Sequence, residues 1–230
     1  MTRKELKNMS TPPTETSRTV KVWDIPTRIF HWTIVVCVIT ALASQEAEGS
    51  AQWIHVYSGS LLIGFMVFRL VWGVIGSRHA RFTDFVHSFS VVKGYAKRLL
   101  VFNPPYVLGH NPLGGWMVVA LIVMTFLASI TGLMTTEDDF TGPLAHIGNG
   151  AFGEAHEGLG STLMVLAIIH VIGVIGHSFI SGENLPRTMV NGIKHVPGDE
   201  KVESITSVGI VRPIVALILG VASVWYLFQI

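Results

Sequence analysis

Five long apolar runs, separated by polar segments, set the pattern of this chain. They lie at about residues 25–44, 53–76, 114–135, 156–179 and 210–228. Each is close to the ~20 residues that a helix needs to cross the hydrocarbon core of a bilayer. No segment between them is long enough to fold as a separate soluble domain. The pattern therefore predicts an all-α integral membrane protein, a transmembrane helix bundle with a four-helix core and a fifth, C-terminal helix.

The composition agrees with this class. Of the 230 residues, 50% are hydrophobic and 13% are charged, and the mean hydropathy is +0.52. Such values are typical of integral membrane proteins. The net charge of +1 gives no reason to expect a nucleic-acid partner. Cys37 is the only cysteine and lies inside the first run, so we expect no internal disulfide, no covalently attached haem and no iron–sulfur cluster.

The chain is predicted to divide into three parts. Residues 1–20 are polar and contain two prolines, which favours a flexible tail, and they lack the pattern of a secretory signal. Residues 21–195 hold four apolar runs and form the main transmembrane domain. Residues 196–230 form a connector and the fifth transmembrane helix.

Lysine and arginine are distributed unevenly along the polar segments. They occur before the first run, between the second and third runs, and between the fourth and fifth runs. The loops around Glu46 and around Asp138 contain neither. Because basic loops stay in the cytoplasm, we expect the N-terminus there, and the two loops and the C-terminus on the outer side.

Four of the five histidines within the apolar runs lie at two depths. His156 and His170 are 14 residues apart, so a helix places them on one face about 21 Å apart along its axis. With the expected topology, His156 lies at the outer level and His170 at the inner level. His55, at the outer start of the second run, matches the first level. His31, near the inner start of the first run, matches the second.

A histidine inside hydrocarbon costs free energy unless its ring nitrogens have partners. Two pairs at two depths indicate two metal centres that carry electrons across the bilayer. Haem iron is the natural candidate, because porphyrin is apolar and two neutral imidazoles can fill both axial positions. The alternative is that each histidine hydrogen-bonds a backbone carbonyl or a neighbouring helix.

Several motifs around these histidines resemble a known family. They are residues 22–32 (VWDIPTRIFHW), the His55-x-x-x-Gly59 start of the second run, residues 109–116 (GHNPLGGW), the His156 and His170 pair, and residues 182–187 (GENLPR). Together they resemble the bacterial cytochrome b561 and nickel-iron hydrogenase b-type cytochrome family over about residues 21–194. The fifth run lies outside that family's basic four helices.

This resemblance implies a location in the bacterial inner membrane and two non-covalent b haems with bis-histidine ligation. It also implies electron transfer between a quinone pool and a partner protein. Carried onto this chain, it makes His31 and His170 the ligands of an inner haem, and His55 and His156 the ligands of an outer haem.

Two arginines and two glycines are candidate haem contacts. Arg69 lies 14 residues after His55, at the depth of the inner site, and is predicted to pair with a haem propionate. The alternative is that it extends toward the inner headgroups. Arg28 is a second propionate candidate or a plain positive-inside anchor. Gly59 and Gly160 would let a flat macrocycle approach the backbone, and tight helix packing explains them equally well.

His177 and His110 are candidate quinone residues. His177 lies seven residues after His170, near the inner end of the fourth run, and His110 precedes the third run at the same interface. A solvated interfacial histidine is the alternative for both. His79 and His87 belong to the polar segment after the second run and are expected at the surface.

The combined expectation is a membrane di-haem cytochrome b that transfers electrons between quinone and a periplasmic partner, either a c-type cytochrome or a hydrogenase or dehydrogenase. The acidic outer loops would attract a basic partner. Two alternatives stay open, a stand-alone oxidoreductase that passes electrons between superoxide and quinone, and a non-redox membrane anchor. We expect the protein to be surrounded by membrane lipid. Whether it is a homodimer is left open.

Overall fold

Helices make up most of the computed structural model, which describes residues 18–137, 140–149, 151–196 and 202–229. In chain order the elements are strand β1 (Arg18–Lys21), helices α1 (Ile25–Ala43), α2 (Gln52–Ile75), α3 (Phe82–Phe85), α4 (Phe89–Leu100) and α5 (Pro112–Leu133), strands β2 (Thr136–Glu137) and β3 (Phe140–Thr141), helices α6 (Gly153–Ser181) and α7 (Leu185–Asn191), strand β4 (Ile193–Val196) and helix α8 (Val211–Leu227). The predicted fold class is confirmed.

All five apolar runs are helices, and their ends lie within three residues of the predicted ones. Four of them, α1, α2, α5 and α6, are long and apolar enough to cross a membrane. The fifth, α8, is apolar but has 17 residues, which span about 25 Å of the ~30 Å hydrocarbon core. The chain is therefore a multi-pass membrane protein with a short additional helix.

Helix α2 lies at the centre of the bundle. It packs against α1, α5 and α8, whereas α6 packs along α5 and against α7. In the apolar part of α2, 50% of the residues are buried, against 6% in α6. Among the described residues, most of the α6 surface is therefore available for contacts other than helix packing.

One end of the bundle, here called the basic end, contains the starts of α1, α5 and α8 and the ends of α2 and α6. The opposite end is called the acidic end. Strands β1 and β4 pair antiparallel at the basic end, with Arg18 opposite Val196 and Lys21 opposite Ile193. Residues 18–20 thus belong to a strand, although the sequence placed them in the flexible tail. The rest of that tail, residues 1–17, lies outside the described residues.

Asp24 fixes the start of α1. One of its carboxylate oxygens accepts a hydrogen bond from the Thr27 backbone nitrogen at 2.6 Å, as an N-cap does. The other accepts a hydrogen bond from the Ser77 hydroxyl, just after α2. The Thr27 hydroxyl in turn accepts one from Trp72 Nε1 at 3.0 Å. This buried network joins the start of α1, which carries His31, to the end of α2.

Two glycines let α8 approach α2 closely. A Cβ atom on Gly220 would lie 2.5 Å from the Gly64 carbonyl oxygen, and one on Gly64 would lie 2.9 Å from a methyl carbon of Val224. Small residues allow such close crossing of membrane helices. Helix α8 thus covers part of the surface of α2.

We expect Gly220→Ala to destabilise the protein by about 1–3 kcal/mol, because the added methyl group overlaps the Gly64 carbonyl. Denaturation of the detergent-solubilised protein measures this change. The matched control is Gly94→Ala on α4, where a Cβ atom meets nothing within 4 Å. The control is expected to be neutral or slightly stabilising. Equal losses in both variants would contradict the close docking of α8.

Candidate metal centres

His55 and His156 face each other at the acidic end of the bundle. Their Nε2 atoms are 3.4 Å apart, and their rings lie at 82° to one another. His55 stands near the start of α2 and His156 near the start of α6. The structure thus brings together the two histidines that depth alone had paired.

Backbone carbonyls orient both of these rings. His55 Nδ1 lies 2.8 Å from the Ala41 carbonyl oxygen, and His156 Nδ1 lies 2.8 Å from that of Ala128. A carbonyl oxygen only accepts, so each Nδ1 carries a hydrogen and each Nε2 of a neutral ring presents a lone pair. In this tautomer both Nε2 atoms are able to bind the same metal ion. An Nδ1 hydrogen bond to a carbonyl is also how metal-bound histidines are held.

Gly132 of α5 makes room for the His156 ring. A Cβ atom at this position would lie 2.9 Å from His156 Cε1 and 3.1 Å from its Nδ1. A larger residue would therefore push the imidazole away from the Ala128 carbonyl. Gly132, Ala41 and Ala128 were not predicted from the sequence, because their contribution is a backbone position that only tertiary packing reveals.

His31 and His170 lie toward the basic end and are close enough for their charges to interact. Within the described part of the chain no hydrogen bond joins them. His31 Nδ1 is buried without a hydrogen-bond partner, and the ring meets Trp32 edge-on at 5.1 Å. This pair is thus less closely assembled than the pair at the acidic end.

Buried polar atoms without a partner concentrate at the basic end. The described residues contain six such side-chain atoms, namely Arg28 Nε, His31 Nδ1, His79 Nε2, Tyr95 Oη, His110 Nδ1 and His177 Nδ1. Buried polar atoms are normally hydrogen-bonded. A guanidinium, imidazoles and a phenol suit an acidic or carbonyl-bearing group, so haem propionates and a quinone both fit this set of side chains.

Arg69 is buried within the bundle, with 4% of its surface exposed. One guanidinium nitrogen donates a hydrogen bond to the Ala80 carbonyl oxygen at 3.0 Å. The guanidinium also lies over the rings of Phe82 and Phe85, at 5.1 and 5.5 Å from their centroids. The side chain is therefore held inside the protein by aromatic rings and does not extend to the surface.

The two predicted glycines adjoin open space. A Cβ atom on Gly59 or Gly160 would meet nothing within 4 Å. Tight helix packing, the alternative explanation for both, therefore does not apply to them among the described residues. Arg28 is half-buried, and its guanidinium lies against Gly192 at the turn after α7, where a Cβ atom would be 3.1 Å from Arg28 Nη1.

His110 lies in an aromatic pocket just before α5. Its ring centroid is 4.7 Å from that of Trp23 and 4.6 Å from that of Phe85. Burial, and then the charges of Arg69 and His79, lower the pKa of His110 to about 3. His110 is therefore neutral at neutral pH.

The expectation that His79 lies at the surface is wrong. His79 is buried, and its Nδ1 lies 2.8 Å from an Asp84 carboxylate oxygen. The short helix α3 folds this segment back onto α2, because it buries Phe85. An Asp five residues after a His was the one local signal for this contact.

The fold is a multi-pass bundle of membrane helices in which His55 and His156 face each other. A family model described as prokaryotic cytochrome b561 matches residues 22–192, so the chain belongs to the prokaryotic cytochrome b561 family. Haem b is accordingly its cofactor, and electron transfer in the membrane is its activity.

Curated relatives are similar along much of the chain. A probable Ni/Fe-hydrogenase B-type cytochrome subunit of Rhizobium leguminosarum is 29% identical over 50% of this chain and 59% of its own length, so the match spans less than two thirds of that relative. Its counterpart in Bradyrhizobium diazoefficiens is 24% identical over 76% of this chain and 85% of its own length. The probable Ni/Fe-hydrogenase 1 B-type cytochrome subunit of Escherichia coli K12 is 25% identical over 75% and 89%. No solved structure matches the chain.

We expect the buried, neutral His110 to make the stability of the protein depend on pH. Its pKa is about 3 in the folded protein, against an ordinary 6.5, so the unfolded chain binds this proton more readily. His110 therefore lowers stability as the pH falls from 6.5 toward 3. We expect His110→Gln to lose less stability over this range than the parent, as measured by thermal unfolding. His195→Gln, at an exposed position, is the control. Equal slopes for the parent and His110→Gln would show that His110 is not held neutral by burial.

Proposed function

We propose that the protein is a di-haem cytochrome b of the bacterial inner membrane that transfers electrons between the quinone pool and a periplasmic redox partner. The observation that carries this proposal is the His55 and His156 pair, whose Nε2 atoms face each other at 3.4 Å while both Nδ1 atoms are held by carbonyls. Haem b, when bound, supplies the one-electron redox chemistry.

In this proposal His55 and His156 hold the outer haem. Their Nε2 atoms face each other at 3.4 Å, so both imidazoles would be available to one haem iron. Gly59 and Gly160 each follow one of these histidines by four residues, on the same helix face. The open space beside both glycines supports room for a macrocycle.

His31 and His170 hold the inner haem in the same proposal. Arg69 and Arg28 are its propionate partners, because both guanidinium groups lie toward this level and neither has a carboxylate in salt-bridge contact among the described ion pairs. A propionate would also compensate the buried charge of Arg69. Residues 21–195 then form the di-haem domain, and residues 196–230 add the connector and α8.

His110 and His177 are the proposed quinone contacts. Both present a buried Nδ1 without a partner at the basic end. An apolar groove of about 500 Å³ opens beside Phe82 and between α2 and α5, lined by Leu70, Phe82, Thr83, Val86, Val119, Ile122 and Val123. Such a groove suits the apolar tail of a quinone, and it adjoins the rings that surround Arg69 and His110.

The orientation and the partner are also part of the proposal. The basic segments support a cytoplasmic N-terminus and a periplasmic C-terminus. The names of the relatives support a hydrogenase as the partner. The outer end carries a negatively charged surface that would attract basic side chains of a partner, formed by Glu46, Glu48 and Glu154. Co-purification of the native complex distinguishes a hydrogenase from a dehydrogenase or a c-type cytochrome.

Replacement of the histidines tests the ligand assignment. His55→Ala and His156→Ala should each remove the outer haem, and His31→Ala and His170→Ala should each remove the inner haem, because a b haem without one axial ligand binds weakly. Haem quantification per chain and redox titration measure both effects. His195→Ala, at an exposed position, should keep both haems. If all four variants keep both haems, the assignment is wrong, and a parent chain without haem would favour a non-redox anchor.

Replacement of Arg69 tests the inner propionate site. A nearby cation stabilises the reduced form of a redox centre, so Arg69→Leu should lower the potential of the inner haem more than that of the outer haem. Arg78→Leu is the control, because the Arg78 side chain is 64% exposed. Redox titration followed at the α-band measures both potentials. Equal shifts of the two haems would show that Arg69 has no specific place beside the inner one.

A further inference from the structure

A second group of ionisable side chains meets at the basic end, and no step described so far uses it as a whole. It consists of Tyr95 on α4, His177 near the end of α6, Glu183 just after α6, and Lys194 on β4. Lys194 Nζ lies 2.8 Å from a Glu183 carboxylate oxygen, and the two side chains are 6% and 16% exposed. The pair is thus nearly buried, with Glu183 as its more solvent-accessible member.

Two members of this group present polar atoms that are not satisfied. Tyr95 is 4% exposed, and its hydroxyl has no hydrogen-bond partner among the described residues. His177 Nδ1 is likewise buried without one. The two ring centroids are 6.4 Å apart. A phenol and an imidazole at this distance suit a group that hydrogen-bonds to both, such as a water molecule or a carbonyl oxygen.

The electrostatics of the group assign different roles to its members. Burial, and then the charge of Glu183, raise the pKa of Tyr95 to about 12, so Tyr95 stays a neutral donor. Burial lowers the pKa of Lys194, while its hydrogen bond to Glu183 and the carboxylate charge oppose this change. The charges of Glu183 and Lys194 both act on His177. The Glu183 side chain is 16% exposed, and its charge acts on both Tyr95 and His177.

Other groups around Lys194 complete this environment. Its Nζ donates a hydrogen bond to the Val107 carbonyl oxygen at 2.5 Å and lies 4.7 Å from the Tyr106 ring centroid. These contacts hold the ammonium group in place beside Glu183. The ion pair with Lys194 thus fixes the position of the Glu183 carboxylate.

We infer that Glu183 and His177 transfer protons between cytoplasmic water and the quinone, with Tyr95 and Lys194 as positioning residues. This inference rests on the proposed quinone function. His177 follows His170 by seven residues on the same helix face, which places the proton route about 10 Å along the helix from the inner ligand. Electrons from the inner haem and protons from this route would therefore reach the same region of the protein.

The proton and electron counts of this step balance. Reduction of a quinone to a quinol adds two electrons, which the cytochrome delivers, and two protons, one on each carbonyl oxygen. Each proton follows the same route. Glu183 accepts it from water and transfers it to His177. His177 then donates a proton to one of the two quinone oxygens and becomes neutral again. Quinol oxidation runs the same transfers in reverse and releases both protons to the cytoplasm.

The test compares the parent with Glu183→Gln, both as full chains in lipid nanodiscs with reduced haems. A short-chain ubiquinone analogue is added, and haem oxidation is followed by stopped-flow absorbance. We expect Glu183→Gln to slow this oxidation about a hundredfold, the lower part of the range for general acid–base groups. Acetate, a small mobile acid, should restore the rate. Glu183→Asp should retain most of the rate, and Glu203→Gln, at an exposed position in the connector, should match the parent.

The outcomes separate this inference from the proposed function. If the analogue does not oxidise the parent, the quinone function itself fails. If the analogue oxidises the parent and Glu183→Gln equally fast, the quinone function stands and the proton route is wrong. A slow Glu183→Gln that acetate does not restore, or that has an altered haem spectrum, shows a structural role for the Glu183 and Lys194 pair and also overturns the inference.

Discussion

An imidazole inside a membrane bundle needs a partner for each of its two ring nitrogens, and the rest of this structure is arranged around that requirement. At the acidic end, the carbonyls of Ala41 and Ala128 satisfy the two Nδ1 atoms. The two Nε2 atoms then face each other across 3.4 Å. A metal ion bound there would use the lone pairs of both Nε2 atoms.

The helices of the bundle are packed unequally. Helix α2 is surrounded by α1, α5 and α8, whereas α6 packs mainly along α5 and carries two of the four candidate ligands. An apolar macrocycle between α6 and the first two helices would cover surface that the described helices leave exposed. The two ends also differ in polarity, because the unsatisfied buried nitrogens and oxygens of the described residues concentrate at the basic end. Haem propionates and a quinone would bind at that end, and protons would be exchanged with the quinone there.

Periodicity and charge were sufficient to predict the five helices and the depth pairing of His55 with His156, because both depend on helix rise and on the length of a membrane span. Contacts that depend on tertiary packing were beyond such reasoning. The strand Arg18–Lys21 is too short to show a pattern, and its partner lies far along the chain. The prediction for His79 was wrong because its burial depends on how the segment that contains α3 packs in three dimensions. The local sequence does not show this packing. Gly132 was not predicted because its importance comes from the space that it leaves for the His156 ring, which is its neighbour only in the folded protein.

In the proposed cytochrome, four histidines from three helices hold iron at two levels of one bundle, and everything else we propose depends on them. A density map of the purified protein in lipid tests this claim most directly. We expect two macrocycles, one with His55 and His156 as axial ligands and one with His31 and His170. A map with a single macrocycle, or with iron bound by other side chains, would contradict the claim.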